Sequence, residues 1–267
     1  MAAKYIKKHN QKFSSITPVN QQADLLEIVF YTDPLCCWSW GFEPQWRKFL
    51  YQFQNQLSYR YCMSGLLPGW QNYHDTITAV SRPIQMGPVW MHAQQLSGMP
   101  MDATTWMRDA PLSSYPACIA VKSASMQSTQ AEEIYLRLLR EAIMIHGKNI
   151  SKEEILMSVA IKVKSILPAF DTTKFQLDLK NDNGLEAFRK DLQEVRNLQI
   201  NRFPTLVIRG ENNKAVMISG HRPYSVLLDA TKQVKELKPV VETINENDFL
   251  EFWPFATERE LTEIRSV

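Results

Sequence analysis

Glycine is scarce in this chain, 9 among 267 residues, and so is cysteine, with 4. Few glycines argue against a Gly-rich β architecture and leave no loop of the kind that cradles phosphate. The four cysteines, Cys36, Cys37, Cys62 and Cys118, are too few and too scattered to staple a chain of this size, which points to a reducing compartment. No run approaches the roughly 18 apolar residues of a membrane span, and the lysine-bearing start, Met1 to Gln22, lacks the apolar centre of a signal peptide. Charge of neither sign dominates. The 30 Lys and Arg stand against 28 Asp and Glu, and a net charge of +2 offers no basic field to nucleic acid or an anionic membrane. His74, His92 and His146 have no carboxylate or cysteine partners at metal-ligand spacing, so no zinc site is expected. These absences describe a cytoplasmic protein without nucleic-acid, membrane or metal partners. At 45% hydrophobic residues its core is ample for one large domain or two smaller ones.

The informative stretch runs from Tyr31 to Pro44, Tyr-Thr-Asp-Pro-Leu-Cys-Cys-Trp-Ser-Trp-Gly-Phe-Glu-Pro. An apolar run, Leu25 to Tyr31, ends at Asp33-Pro34, and helical spacing follows in Phe42, Trp46, Phe49, Leu50 and Phe53. Cys36 therefore falls at a strand-to-helix turn. The unpaired N–H groups of a first helical turn carry about half a positive charge and stabilise a thiolate, with pKa values of roughly 3.5–7.5 against about 8.5 for a free thiol. Cys36 is the expected nucleophile, and Asp33 is expected to turn away from it and cap the N–H groups of the turn.

Along the chain, Leu25 to Tyr31 reads as a strand, 37–56 as a helix and Leu57 to Met63 as a second strand, a βαβ unit. From Leu67 to about Asn183 only helical periodicity appears. Thr129-x-x-Glu132 and Ser151-x-x-Glu154 read as capping boxes, and Gly147 as a stop between them. Then come a helix from Leu185 to Leu198, a strand from Phe203 to Arg209, a turn at Glu211 to Lys214, a strand from Ala215 to Ser219, and a helix from Pro223 towards Pro239. The expected domains are a flexible arm over 1–22, a discontinuous domain over 23–66 and 184–239, a helical insertion over 67–183 and a helical extension over 240–267. The insertion holds Met86, Met91, Met99, Met101 and Met107, read as helical core with a substrate groove as the alternative.

Asp33-Pro34-Leu35-Cys36 with Trp38, followed by Trp40-Gly41-Phe42-Glu43-Pro44, resembles the active-site turn of cytoplasmic DsbA-like (FrnE-like) dithiol-disulfide isomerases. The resemblance implies an α/β thioredoxin fold with an all-helical insertion domain, and thiol-disulfide exchange with protein, peptide or glutathione as the thiol or disulfide partner and no further cofactor. It makes Cys36 and Ser39 the catalytic positions. The family's second cysteine is replaced here by Ser39, which cannot form a disulfide, so release of a mixed disulfide needs an external thiol. Arg202-Phe203-Pro204-Thr205 then resembles the cis-proline loop that faces the nucleophile, which places Phe203 and Pro204, with Trp38, Gly220 and His221, around the substrate. Cys37 reads as a small first-turn side chain, and Cys62 and Cys118 as buried thiols that resolve Cys36 only if the fold brings them close. Ser39 also resembles the serine of kappa-class glutathione transferases, and some relatives of the DsbA-like group look like adaptors that hand a transcription regulator to a protease. Both remain alternatives to an exchange enzyme.

Overall fold

The structure, a computed structural model, describes residues 25–71, 73–75, 77–210 and 214–266; the arm over 1–22 and most of the turn at Glu211 to Lys214 lie outside them. Four strands, β1 (Leu26–Thr32), β2 (Leu57–Met63), β3 (Thr205–Arg209) and β4 (Ala215–Ser219), form one mixed sheet in the order β2-β1-β3-β4. β3 and β4 pair antiparallel with Thr205 opposite Ser219 and Arg209 opposite Ala215. β2 and β4 occupy the residues expected of them, and the fold is the expected thioredoxin-like one. The chain divides into two compact units.

The first unit comprises residues 25–30, Phe42–Arg60 and 205–266. The helix expected over 37–56 is two helices, α1 (Cys37–Gly41) and α2 (Glu43–Gln52). Pro44 has no N–H to continue the first, so the chain restarts with proline in a first turn. It then stops early, because Asn55 turns the backbone left-handed (φ 68°) into β2. Trp46, Phe49, Leu50 and Phe53 form one buried stripe, with Phe30 meeting Trp46 edge-on at 5.2 Å and Tyr59 meeting it at 5.5 Å. The opposite side of α2 is also covered. Helices α10 (Tyr224–Val234), α11 (Glu246–Phe252) and α12 (Glu258–Arg265) follow the sheet. Arg47 pairs with Glu260 at 2.7 Å and lies 4.4 Å over the Trp253 ring, and Lys48 donates to the carbonyls of Glu263 and Ser266. α10 ends at Val234, one turn short of the stretch that runs to Pro239.

The second unit comprises Tyr31–Gly41 and Tyr61–Pro204. After a 3₁₀ turn at Pro83–Gln85 it is helical: α3 (Met86–Ser97), α4 (Thr105–Arg108), α5 (Tyr115–Ser125), α6 (Thr129–Met144), α7 (Glu153–Ile166), α8 (Thr172–Lys180) and α9 (Asn183–Asn197). Both expected capping boxes shift. Ser128, one residue before Thr129, accepts the N–H of Ala131, while Ser151 bonds Asn149 and Lys152 is the residue before α7. Gly147 does stop α6, at φ 60°. Of the five methionines, Met86, Met99 and Met101 are core, but Met91 and Met107 are exposed. α9 was expected with the strands, yet it packs against α5 and α8. At the crossing Gly184 lies so close to α5 that a Cβ would meet Ser123 Oγ at 2.2 Å. The second unit accordingly runs through α9 to Pro204.

Candidate active site

Where β1 ends, Asp33 closes a tight turn. Its Oδ1 accepts the Leu35 N–H at 2.8 Å and its carbonyl accepts the Cys36 N–H at 3.0 Å, an Asx-type arrangement that sets the entry to α1. Cys36 precedes the first residue of α1, and its sulfur accepts the Ser39 N–H at 3.4 Å, as a capping oxygen would. On the far side the Cys36 thiol donates to the Phe203 carbonyl at 3.6 Å. The Phe203–Pro204 bond is cis. A turn and a loop 167 residues apart thus meet at one sulfur, as the resemblance implies.

The electrostatics of that sulfur depart from the expected ones. Cys36 is only 4% exposed, and burial pushes its thiol above the ordinary cysteine range. The Ser39 hydroxyl and N–H and the charge of Arg140 favour the anion, and the Asp33 carboxylate opposes it, but none outweighs desolvation. The expectation of a standing thiolate is corrected accordingly: the first turn of a five-residue helix does not recover the hydration lost by sealing the sulfur in. A protonated thiol also matches the bond to the Phe203 carbonyl, which needs a proton to give. In that state Ser39 Oγ, fully buried, has no hydrogen-bond partner among the described residues. A thiolate would supply the acceptor. Alkylation of Cys36 by iodoacetamide is therefore expected to rise with pH to a midpoint above about 8.5, and Arg140→Met to raise it further; a midpoint below that value would show the helix and Arg140 winning.

Asp33 is buried and turns to the backbone, as anticipated, but it does more than cap the turn. Its Oδ2 accepts the Leu66 N–H at 2.7 Å, the Ser114 hydroxyl at 2.8 Å and the Cys118 thiol at 3.3 Å. Burial raises the Asp33 carboxyl, and the four donors pull it down. The turn is thereby tied to the loop after β2 and to the start of α5. Arg140, fully buried, donates to Thr32 Oγ1 beside the turn. Neither residue carried a sequence signal beyond a place in an amphipathic helix or before it.

Of the other expected residues, Trp38 is half-buried and leans edge-on to His92 at 5.8 Å. Phe42 and Trp46 are core, and Cys37 is buried with its thiol pushed well up. Cys62 gives its thiol to the Asp191 carbonyl and Cys118 to Asp33, and none of the four cysteines is in a disulfide. Gly220 and His221 belong to the first unit, in the turn between β4 and α10, where Gly220 takes φ 80° with open space at its Cβ position. A groove of about 600 Å³ is lined by Gly65, Leu66, Pro68, Gln71, Tyr73 and His74. Burial pushes the Tyr73 phenol to about 12, with Asp75, Asp33 and Cys36 adding to the rise, so this groove adjoins the thiol turn. Among the described residues no helix is long and apolar enough to cross a membrane, and no three His, Cys, Asp or Glu side chains gather around a metal position.

Sheet order, thiol turn and cis-proline loop together define a thioredoxin-like protein. A thioredoxin family profile (Thioredoxin_5) matches residues 29–229, and the chain belongs to that family. The ClpXP adapter protein SpxH of Halalkalibacterium halodurans is 29% identical over 216 residues, 80% of this chain and 69% of that protein. SpxH of Shouchella clausii is 27% identical, over 82% and 70%. The cytosolic disulfide reductase DsbM of Pseudomonas aeruginosa superposes at a TM-score of 0.61, with 16% identity, 78% of this chain and 99% of that one covered; its structure with GSH superposes at 0.60, with 16% identity over 78% and 100%.

Proposed function

We propose that this chain acts by binding a protein and presenting it to other machinery, an adaptor built on a thioredoxin-like scaffold, with Cys36 a guarded monothiol instead of a turnover catalyst. The observation that carries this is the setting of the sulfur: 4% exposed, pushed up by burial, its thiol donating to the Phe203 carbonyl, with Ser39 at the fourth position of the turn. A disulfide exchanger needs an open thiolate and a way to release its mixed disulfide, and this site favours neither. That relatives over four-fifths of the chain are named ClpXP adapters supports the same reading.

One observation favours the enzymatic reading instead. The Ser39 N–H and the Phe203 carbonyl flank the sulfur as an exchange site requires, and a protein of the same fold is known with glutathione. Cys36 would then form mixed disulfides with protein or glutathione and depend on an external thiol. The two are separated by comparing the full chain with Cys36→Ser and Ser39→Cys. On the adaptor reading, a protein that co-purifies with the chain is degraded several-fold faster by purified ClpXP when the chain is added, and Cys36→Ser leaves that gain intact. Glutathione-dependent reduction of hydroxyethyl disulfide stays near the Cys36→Ser level and appears only in Ser39→Cys. No gain in degradation, with reduction that falls about tenfold in Cys36→Ser, would reverse the assignment. Glutathione transfer to a chromogenic electrophile that survives Cys36→Ser but not Ser39→Ala would point to the kappa-class alternative.

A further inference from the structure

We propose that β4 is a docking edge, which takes an extended, acidic segment of a partner protein as an added strand. The inference rests on the adaptor reading and names how the partner is held. Among the described residues β4 is the outermost strand of the sheet, paired on one side only, with β3. Natural sheets protect such edges with charge, proline or a bulge inside the strand. Ala215-Val216-Met217-Ile218-Ser219 has none of these, and Met217, at its centre, is 50% exposed. Gly210 donates its N–H to the Lys214 carbonyl at 3.0 Å, and the alternation of an antiparallel ladder then turns the N–H and C=O groups of Ala215, Met217 and Ser219 outward. The Ser219 carbonyl already accepts from outside the ladder, taking the Arg222 Nε–H at 3.0 Å. Among the described residues the groups of Ala215 and Met217 meet no partner and are left to a newcomer.

Charge selects the occupant. Arg209, Lys214 and Arg222 stand at the ends of the hairpin and just beyond it, and between Phe203 and Leu228 the sequence holds one acidic residue, Glu211. A second copy of this chain would bring the same cations against themselves, whereas an acidic strand would meet them with opposite charge. Main-chain pairing supplies the affinity in this mode, and the flanking cations supply the selection.

The test uses fluorescein-labelled Val-Glu-Val-Glu-Val-Glu-Val and its lysine-for-glutamate counterpart, titrated with the full chain and read by anisotropy. The acidic peptide is expected to bind, and the basic one at least about tenfold more weakly. Met217→Pro, which removes one outward N–H at an edge where proline is tolerated, should weaken the acidic peptide by about tenfold with the circular dichroism unchanged. Lys214→Glu combined with Arg222→Glu, which alters no ladder group, should reverse the preference between the peptides. Equal binding of both peptides, binding of neither, or a preference untouched by the charge reversal overturns the inference. So does a dimer in sedimentation equilibrium that Met217→Pro dissolves, since the occupant would then be a second copy. Degradation by ClpXP that is stimulated normally by Met217→Pro would remove the edge from adaptor function while leaving the adaptor itself. Acidic-peptide binding without any stimulation would keep the edge and discard the adaptor.

Discussion

Asp33→Ala is expected to cost about 4 kcal/mol of stability and to lower the melting temperature of the unit that holds the thiol turn by roughly 10 °C. The carboxylate accepts from the Leu35 and Leu66 N–H groups, the Ser114 hydroxyl and the Cys118 thiol, and alanine leaves all four donors buried without their acceptor. Each orphaned donor costs on the order of 1–3 kcal/mol, partly recovered by relaxation. Asp33→Asn should lose about half as much, because one amide oxygen cannot replace Oδ2, which alone takes three donors, and the amide N–H₂ meets donors instead. The pH dependence distinguishes the two causes. The folded Asp33 carboxyl is raised by burial, so it holds its proton more tightly than in the unfolded chain. Its contribution is full below the unfolded value of about 3.9 and declines as pH climbs through the raised folded value, a decline that Asp33→Asn abolishes. Urea unfolding of the three proteins between acid and neutral pH measures both effects. An Asp33→Ala protein as stable as its parent would mean that the network contributes nothing.

Glu260→Ala is the second large effect, about 3–5 kcal/mol, because it strands Arg47 as an uncompensated buried charge. The pair is 2.7 Å apart with side chains 4% and 0% exposed, far from the screened surface pairs whose loss is hardly felt. The same carboxylate accepts the Thr257 N–H at 2.6 Å and so caps α12. Alanine removes pair and cap together. Glu260→Gln keeps an acceptor for the cap but not the charge, and is expected to be milder. Replacing both members, Arg47→Met with Glu260→Leu, should restore most of the loss, because a buried pair and an apolar pair of similar volume are close in stability. Calorimetry of the single and double variants gives the coupling. Additive losses would show that the two residues act independently.

How much of this was readable in the letters depends on whether the determining contact is local. β2 falls where its alternation puts it and β4 where the residues after a turn put it, because strand limits are set within a few residues. The thiol turn and the proline loop were each legible as motifs, and the bond between Cys36 and Phe203 follows from the fold the motifs imply. The continuous helix over 37–56 failed because hydrophobic spacing runs unbroken across Pro44, while the hydrogen-bond ladder does not. Thr129 was displaced as a cap by its neighbour Ser128, a choice made by backbone geometry at single-residue scale. α9 was found as a helix, but its packing against α5 depends on Gly184 clearing Ser123 sixty residues away. The donors around Asp33 come from positions 66, 114 and 118, and no spacing rule joins them. Cys36 shows the same limit in energetic form. The helix dipole is a local quantity, but desolvation is summed over everything that folds above the sulfur.

Both cationic side chains of α2 find their partners only in residues far along the chain, which makes the covering of that helix a non-local event. Arg47 must wait for an anion 213 positions downstream, and Lys48 for carbonyl oxygens later still. While the polypeptide is still emerging from the ribosome, that helix can bury its aromatic stripe but carries two bare cations on its outer flank. The cover over that flank is therefore the last part of the first unit to close, since residues 260–266 supply both the anion and the carbonyls.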